Sequence, residues 1–341
     1  MYSKSGYKLF ARGQRKTCRL FSGRFGVLEI YTDYRGLRHL YPHICAGLGN
    51  FDGVHLGHRR LIDQLVAYAR QHQGTAVVFT FEPHPAAVLK PQTAPPLLLA
   101  PELKQQLIAG LGVDLFLAVP FTREFAALKP EEFVKEVLCG EMGVRAVFVG
   151  YNYTFGYRGA GTPDTLQALA ARYGFAVKVI PPVMVEDQTV SSTLIRKLIA
   201  EGKVEEAQRY LGYYPVFAGT VVAGESRGSK MGFPTANLEV TDRILVPANG
   251  VYAVKVVVEG KAFAGVANIG TCPTFAGNAS RRRRIEVFLF DFCGNLYGKR
   301  LEVSFTRRLR GERCFASAAE LVEQIRRDVA AAKALAEERI E

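Results

Sequence analysis

Gly49-Asn50-Phe51-Asp52-Gly53-Val54-His55-Leu56-Gly57-His58 decides how the first half of this chain is read. The run follows a short apolar stretch, Ile44 to Leu48, and opens an amphipathic one, Arg59 to Arg70. That pattern predicts a strand–loop–helix crossing. Glycines in such a loop let the backbone approach a ligand closely, and a helix N-terminus offers unpaired N–H groups and a positive dipole end to a phosphate. Two histidines three apart, with a glycine between them, can both reach one bound triphosphate. This suits nucleotidyl transfer, in which donors meet the charge on the α-phosphate and the departing pyrophosphate, and no covalent intermediate is required. An isolated His-x-Gly-His could be two ordinary polar residues on a turn. Ten residues of this composition at a strand-to-helix junction are harder to explain that way.

Outward from this loop, strands and helices alternate from Val27 to Gly212. Strands are predicted at Val27–Tyr31, Ile44–Leu48, Thr75–Phe81, Leu115–Val119, Arg145–Gly150 and Phe175–Ile180. Amphipathic helices are predicted at Arg59–Arg70, Glu102–Leu111, Glu131–Met142 and Asp164–Tyr173, with Thr162 as an N-cap and Pro130 and Pro163 at first helical positions. Short apolar strands between helices imply a parallel sheet covered on both faces, with ligand at the carboxyl ends of the strands.

Three further segments fall at such ends. Thr80-Phe81-Glu82-Pro83-His84-Pro85 is stiffened by two prolines and could form a wall for a planar ring. Gly150 to Gly161 interleaves glycines with Tyr151, Tyr153, Phe155 and Tyr157, which suits a flat ligand, with Asn152 as a directional polar contact. Ser191-Ser192-Thr193-Leu194-Ile195-Arg196 sets hydroxyls at a helix start and a guanidinium one turn on, a second anion site.

Composition narrows the classes. At 341 residues, two domains are expected. No apolar run approaches the roughly 18 residues of a membrane span. The six cysteines stand apart with no Cys-x-x-Cys pair, which fits a reducing cytoplasm and offers no zinc site. The net charge of +12 is localised: residues 1–26 carry seven basic residues and no acid, whereas residues 27–212 balance at 18 of each. Much of the rest is the run Arg281 to Arg284, read as a solvated loop. A tail and a loop are not a basic face with interleaved aromatics, so no nucleic-acid partner is expected. The tail reads either as a transit-like segment or as an extension upstream of a start at Val27, outside the functional fold.

After Gly212 the pattern turns β-rich, with runs at Val216–Val222, Gly250–Val258, Phe263–Asn268, Arg284–Phe290 and Glu302–Phe305. Antiparallel sheet or a small barrel is expected, closed by a helix from Ser317 to Glu338. Gly224 to Asn237 is a glycine-rich loop ending in Pro234-Thr235-Ala236-Asn237, able to cradle phosphates and offer oxygens to a hard Mg²⁺. Phosphorylating an alcohol needs a proton acceptor, and no histidine lies beyond residue 84. Glu286 alternates onto the face of Phe288 and Phe290, where desolvation penalises a charge. It reads as either a base or a barrel-mouth carboxylate paired with a nearby arginine.

The first half resembles the FAD synthetase module in the order and spacing of its four segments. The second resembles riboflavin kinase in its Pro-Thr-Ala-Asn segment and in Asp291-Phe292-x-Gly-x-Leu-Tyr-Gly. Together they follow the bifunctional bacterial riboflavin kinase/FAD synthetase family over residues 27 to 338. The resemblance implies an α/β parallel-sheet, Rossmann-like nucleotidyltransferase domain (27–212), then an antiparallel β-barrel riboflavin kinase domain with a C-terminal helix (213–341).

It implies ATP contacts at Gly49, Phe51, Asp52, Gly53, His55, Gly57, His58, Ser191, Ser192, Thr193 and Arg196, and flavin contacts at Pro83, His84, Pro85, Asn152 and Phe155. In the kinase half it implies ATP and Mg²⁺ at Gly228, Lys230, Gly232, Pro234, Thr235 and Asn237, with metal on the last two. Glu286 is the implied catalytic base, and Arg310, Glu312 and Phe315 help hold the isoalloxazine ring. Two positions depart from the family pattern: Arg158-Gly159 stands where Gly-Arg is common, and Cys272 where arginine is. The implied small-molecule partners are riboflavin, FMN and ATP, in a cytoplasmic protein with no membrane partner, and a homo-oligomer is compatible with the sequence. Alternatives are one decayed site, leaving a monofunctional enzyme, or a flavin-binding regulator without turnover.

Overall fold

A computed structural model describes residues 19–22, 26–224, 232–240, 243–272 and 282–337. The chain divides into two compact units: Met1–Pro95 with Pro101–Val190, and Pro96–Ala100 with Ser191–Glu341. Among the described residues no helix is long and apolar enough to cross a membrane.

The first unit is built on seven strands: β1 (Arg19–Ser22), β2 (Gly26–Tyr31), β3 (Ile44–Leu48), β4 (Thr75–Phe81), β5 (Leu115–Val119), β6 (Ala146–Gly150) and β7 (Ala176–Ile180). Their spatial order is β1-β2-β5-β4-β3-β6-β7. Strands β2 to β7 are parallel, while β1 pairs antiparallel with β2, Arg19 opposite Glu29. Five residues of the basic extension, Arg19–Ser22 and Gly26, therefore belong to the sheet. Residues 1–18 and 23–25 lie outside the described residues.

The helices are α1 (Leu56–Gln71), α2 (Pro85–Leu89), α3 (Pro101–Ala109), α4 (Arg123–Ala126), α5 (Pro130–Glu132), a π-helix at Phe133–Glu141, and α6 (Pro163–Tyr173). A short hairpin, β8 (Met184–Val185) and β9 (Gln188–Thr189), ends the unit. Every residue of β3 and β5 is buried, as parallel strands covered on both faces require. On one face Leu48, Phe79, Leu117 and Val149 share a core with residues of the π-helix and α6. On the other, Gly47, Val78 and Phe116 lie abreast, and Gly47 leaves room for Leu61 and Leu65 of α1. The far end of α1 is tied down by Arg70, whose two Nη atoms each donate to Asp114 at 2.8 Å.

The second unit begins with α7 (Ser192–Ala200) and α8 (Val204–Leu211). A closed barrel follows: β10 (Val216–Val222), β11 (Ala236–Leu238), β12 (Gly250–Val258), β13 (Lys261–Cys272), β14 (Arg282–Leu289) and β15 (Arg300–Arg310), in the order β10-β11-β14-β13-β12-β15, with every pair antiparallel. Helix α9 (Ala318–Glu337) is last. Ile285, Val287 and Leu289 point into the barrel core with Leu238, Val256 and Phe305. Phe288 and Phe290 point outward into a second layer with Val329, Ala332 and Leu335 of α9. Packing assigns α7 and α8 to this unit because Val204 enters the barrel core. The segment Pro96–Ala100 joins it too, since Leu97 bridges Ile244.

The predicted Ile44–Leu48, Thr75–Phe81 and Leu115–Val119 coincide with β3, β4 and β5. The helix predicted over Glu131–Met142 differs. It opens at Pro130 with Glu132 accepting from the Lys129 N–H at 2.8 Å, then widens into the π-helix, Met142 N donating to Val137 O five residues back.

Candidate active sites

In the first unit the Gly49–His58 loop joins β3 to α1. Thr80 Oγ donates to Asn50 O at 3.2 Å, and Arg59 Nε donates to Val54 O at 3.2 Å. Phe51 (φ +50°), Gly53 (+86°) and Val54 (+36°) all lie at positive φ. For a β-branched residue that conformation is costly, and such strain gathers at functional loops. Phe51 is fully buried, its ring within 5.3 Å of His58, so it shapes the loop from behind and does not present its side chain to a ligand.

His55 is the N-cap of α1, its Nδ1 accepting from the His58 N–H at 3.3 Å. The two imidazoles stack with centroids 3.6 Å apart and planes 14° apart. A Cβ on Gly57 would stand 3.2 Å from the His55 ring, which explains the glycine between the histidines. His58 Nδ1 is buried with no hydrogen-bond partner among the described residues. Burial first, then the charges of His55 and Lys104, hold its imidazole well below the ordinary 6.5, so it is neutral near pH 7. A neutral His58 imidazole stacked on His55 at the α1 N-terminus can meet an anion without first breaking an ion pair of its own.

The flavin-contact residues divide. His84 caps α2, its Nδ1 accepting from Ala86 N–H at 3.1 Å. Pro83 and Asn152 are exposed, whereas Phe155 is buried, stacked under Tyr153 at 5.7 Å and against Phe133 at 5.8 Å. Phe155 therefore underlies any ligand wall. Sequence reading missed a chain of edge-to-face rings at the carboxyl ends of β4 and β5: Phe81 lies 4.9 Å from Phe121 and 5.2 Å from Phe125. Phe121 sits in a short connection and Phe125 in the four-residue α4, both too short to carry a periodicity.

Ser191 caps α7 as predicted, its Oγ accepting from Leu194 N–H at 3.2 Å. Arg196 Nε donates to Pro96 O at 2.9 Å. This anion-site candidate belongs to the second unit.

In the barrel, Asn237, Glu286 and Asn268 stand opposite one another on β11, β14 and β13, so three polar side chains form a row on the outer face. Glu286 shares that face with Phe288, which Phe233 meets edge-on at 5.6 Å, bringing the Gly232-Phe233-Pro234-Thr235 turn to the row. Arg284 Nη1 lies 3.6 Å from Glu286 Oε1. Asn237 is 8% exposed, and its Oδ1 is buried without a hydrogen-bond partner among the described residues. Its amide presses on Gly224, where any Cβ would collide with it. Gly228, Lys230 and Arg281 fall outside the described residues.

Arg310 and Glu312 are engaged structurally. The Arg310 guanidinium grips Asp328 of α9 through Nε at 3.0 Å and Nη2 at 2.8 Å, and lies 5.6 Å from the Phe315 ring centroid. Glu312 accepts from Asn249 Nδ2 at 3.0 Å.

Residues 40–194 match the family model described as FAD synthetase, and residues 211–336 match the one described as riboflavin kinase. Proteins named bifunctional riboflavin kinase/FMN adenylyltransferase are similar along most of the chain. The Pseudomonas fluorescens protein is 39% identical over 89% of this chain and 97% of its own. The Bacillus subtilis protein is 38% identical over 82% and 89%. A solved structure described as a macrolide-efflux protein from Streptococcus pneumoniae is 32% identical with a TM-score of 0.79, covering 88% of this chain and 97% of that one. The two matched modules stand in the relatives' order on the two units just described. The chain belongs to the bifunctional riboflavin kinase/FMN adenylyltransferase family.

Proposed function

We propose that this chain phosphorylates riboflavin to FMN in its barrel unit and adenylylates FMN to FAD in its parallel-sheet unit, with ATP as donor in both steps. One observation carries the reading: among the described residues, buried polar atoms lacking partners occur in both motif sites, His58 Nδ1 in one and Asn237 Oδ1 in the other. Such atoms are costly to leave unpaired, and a ligand is a common reason to keep them. The remaining one, Arg308 Nε, belongs to a guanidinium already bonded to the carbonyls of Glu201 and Asn249.

In the barrel, Glu286 takes the proton of the ribityl 5′-hydroxyl as its oxygen attacks the γ-phosphorus of ATP, and ADP departs. Arg284, with Nη1 3.6 Å from Glu286 Oε1, orients the carboxylate before substrate arrives. A Mg²⁺ ion fits the donors present, the orphaned Asn237 Oδ1 and the Thr235 hydroxyl, and when bound it would neutralise phosphate charge. Arg310 and Glu312 support the flavin end by fixing α9 and Asn249, with Phe315 offering the ring surface. In the parallel-sheet unit, an FMN phosphate oxygen attacks the α-phosphorus of ATP and pyrophosphate leaves. The α1 amides, His55 and His58 meet the charge, with Gly49, Asp52 and Gly53 shaping the loop. Pro83, Pro85 and the aromatic chain behind them make the flavin wall. Ser192, Thr193 and Arg196 form a separate anion-site candidate at α7, within the second unit. A cytoplasmic location accords with free cysteines at 45, 139, 293 and 314.

Glu286→Gln tests the division of labour. FMN formation is expected to fall by about 10²- to 10⁴-fold, the typical contribution of a general base, while FAD formation from supplied FMN stays unchanged. Loss of both activities in a folded variant would refute the assignment.

A further inference from the structure

Of the three polar side chains that stand in one row across the outer face of the barrel, only Asn237 and Glu286 have a part in the reaction so far. Asn237 on β11 and Asn268 on β13 are the direct cross-strand partners of Glu286 on β14, one on each side of it. Directly opposed residues of an antiparallel pair share a face, with Cβ atoms about 5 Å apart. Asn268 is exposed, whereas its neighbours Ala267 and Ile269 are fully buried in the barrel core, so its carboxamide points outward beside Glu286. Asparagine is depleted in strands, and the preceding pair on this face, Val266 and Phe288, is apolar and joins the layer under α9. Beyond Asn268 the row opens over Gly270, which lies opposite Arg284. A Cβ on Gly270 would stand 3.0 Å from Glu312 Oε1 and 4.0 Å from Asn268 Nδ2. Glu312 is held there by Asn249, whose Nδ2 donates to Oε2 at 3.0 Å. The glycine thus keeps a niche between a carboxylate oxygen and the Asn268 amide.

Position in the row divides the work. Asn237, with its orphaned Oδ1, suits ATP and its metal, and Glu286 suits the proton. The acceptor alcohol then belongs on the other flank of Glu286, where Asn268 stands. A carboxylate alone would hold one oxygen of a flexible chain and leave its direction open, whereas a second contact fixes it. The ribityl chain offers one, since the carbon next to the reacting one also carries a hydroxyl. A carboxamide can donate to a hydroxyl and accept from it, without adding charge beside Glu286. A site that bonds a substrate hydroxyl also rejects the analogue that lacks it.

We propose that Asn268 is a substrate-binding residue of riboflavin phosphorylation, its carboxamide bonding the ribityl 4′-hydroxyl and so aiming the 5′-oxygen at the γ-phosphorus. This rests on the assignment of the barrel site to that reaction. The step itself is unchanged: the 5′-oxygen gains the phosphoryl group, its proton goes to Glu286, and ADP leaves. Asn268 sets specificity as well as rate, because it reads a hydroxyl that takes no part in the bond changes.

The test uses the full chain as wild type, Asn268→Ala and Glu286→Gln, with riboflavin and its 4′-deoxy analogue as acceptors. Three quantities are measured: kcat/KM for each acceptor in phosphorylation, KM for ATP in the same reaction, and thermal unfolding. Loss of one hydrogen bond to a substrate hydroxyl corresponds to about three- to thirtyfold. The wild type is expected to prefer riboflavin by that factor. Asn268→Ala is expected to lose as much on riboflavin and to treat the two acceptors alike, with KM for ATP and unfolding unchanged. A merely structural asparagine predicts an equal loss on both acceptors, so a variant that still discriminates overturns the proposal. A wild type that does not discriminate overturns it too. If Glu286→Gln keeps riboflavin phosphorylation, the assignment of the row to this reaction falls, and the proposal with it.

Discussion

At Gly57 helix propensity and the site make opposite demands. A residue inside α1 gains from alanine, by up to about 1 kcal/mol over glycine. Here the added Cβ would stand 3.2 Å from the His55 ring and push the stacked pair apart. Gly57→Ala is expected to leave thermal stability unchanged or raised while lowering FAD formation, a split that calorimetry and a flavin assay would expose. His58 adds a pH dependence. Its native pKa lies below the unfolded value, so between the two the unfolded chain binds the extra proton, and stability falls as the pH drops below about 6.5. The contribution is at most about 1.4 kcal/mol per pH unit. His58→Gln should flatten that part of an unfolding-against-pH curve, and an unaltered slope would mean that the imidazole titrates normally. The His-x-Gly-His pattern announced the strand-to-helix junction at which these residues stand. The burial of Phe51 and Phe155 was not legible, because aromatic letters in a glycine-rich loop look alike whether they face a ligand or lie beneath it.

Among the elements, those with strong periodicity were legible, and the apolar runs at 44–48, 75–81 and 115–119 became β3, β4 and β5 to the residue. Elements fixed by tertiary partners were not. The three-residue β11 is held by its ladders to β10 and β14, and the π-helix has no separate signature in an amphipathic run. Helix α9 was visible as a helix, but its anchor was not, since the match at Arg310 suggested a ligand contact. The pair it forms with Asp328 is 17% and 7% exposed and joins through both carboxylate oxygens. Removing one partner of such a pair costs about 3–5 kcal/mol. Asp328→Ala is therefore expected to destabilise the barrel unit by roughly that amount in denaturant unfolding and to weaken riboflavin phosphorylation. A change under about 0.5 kcal/mol, the usual size for an exposed surface pair, would mean that α9 is held by its apolar face alone.

For the whole molecule, the change of pattern at Gly212 separates two kinds of architecture, while packing draws its line earlier, at Val190, because α8 buries Val204, Ala207, Tyr210 and Leu211. Among the described residues, the motif site of each unit holds an orphaned buried polar atom, so the account assigns two successive reactions to one chain. The direct test is a time course with purified protein, riboflavin, ATP and Mg²⁺, separating the flavins by chromatography. The account predicts that FMN rises first and then declines as FAD appears. Bound riboflavin with no FMN, no FAD and no ATP consumption would contradict it and leave a flavin-binding protein without turnover.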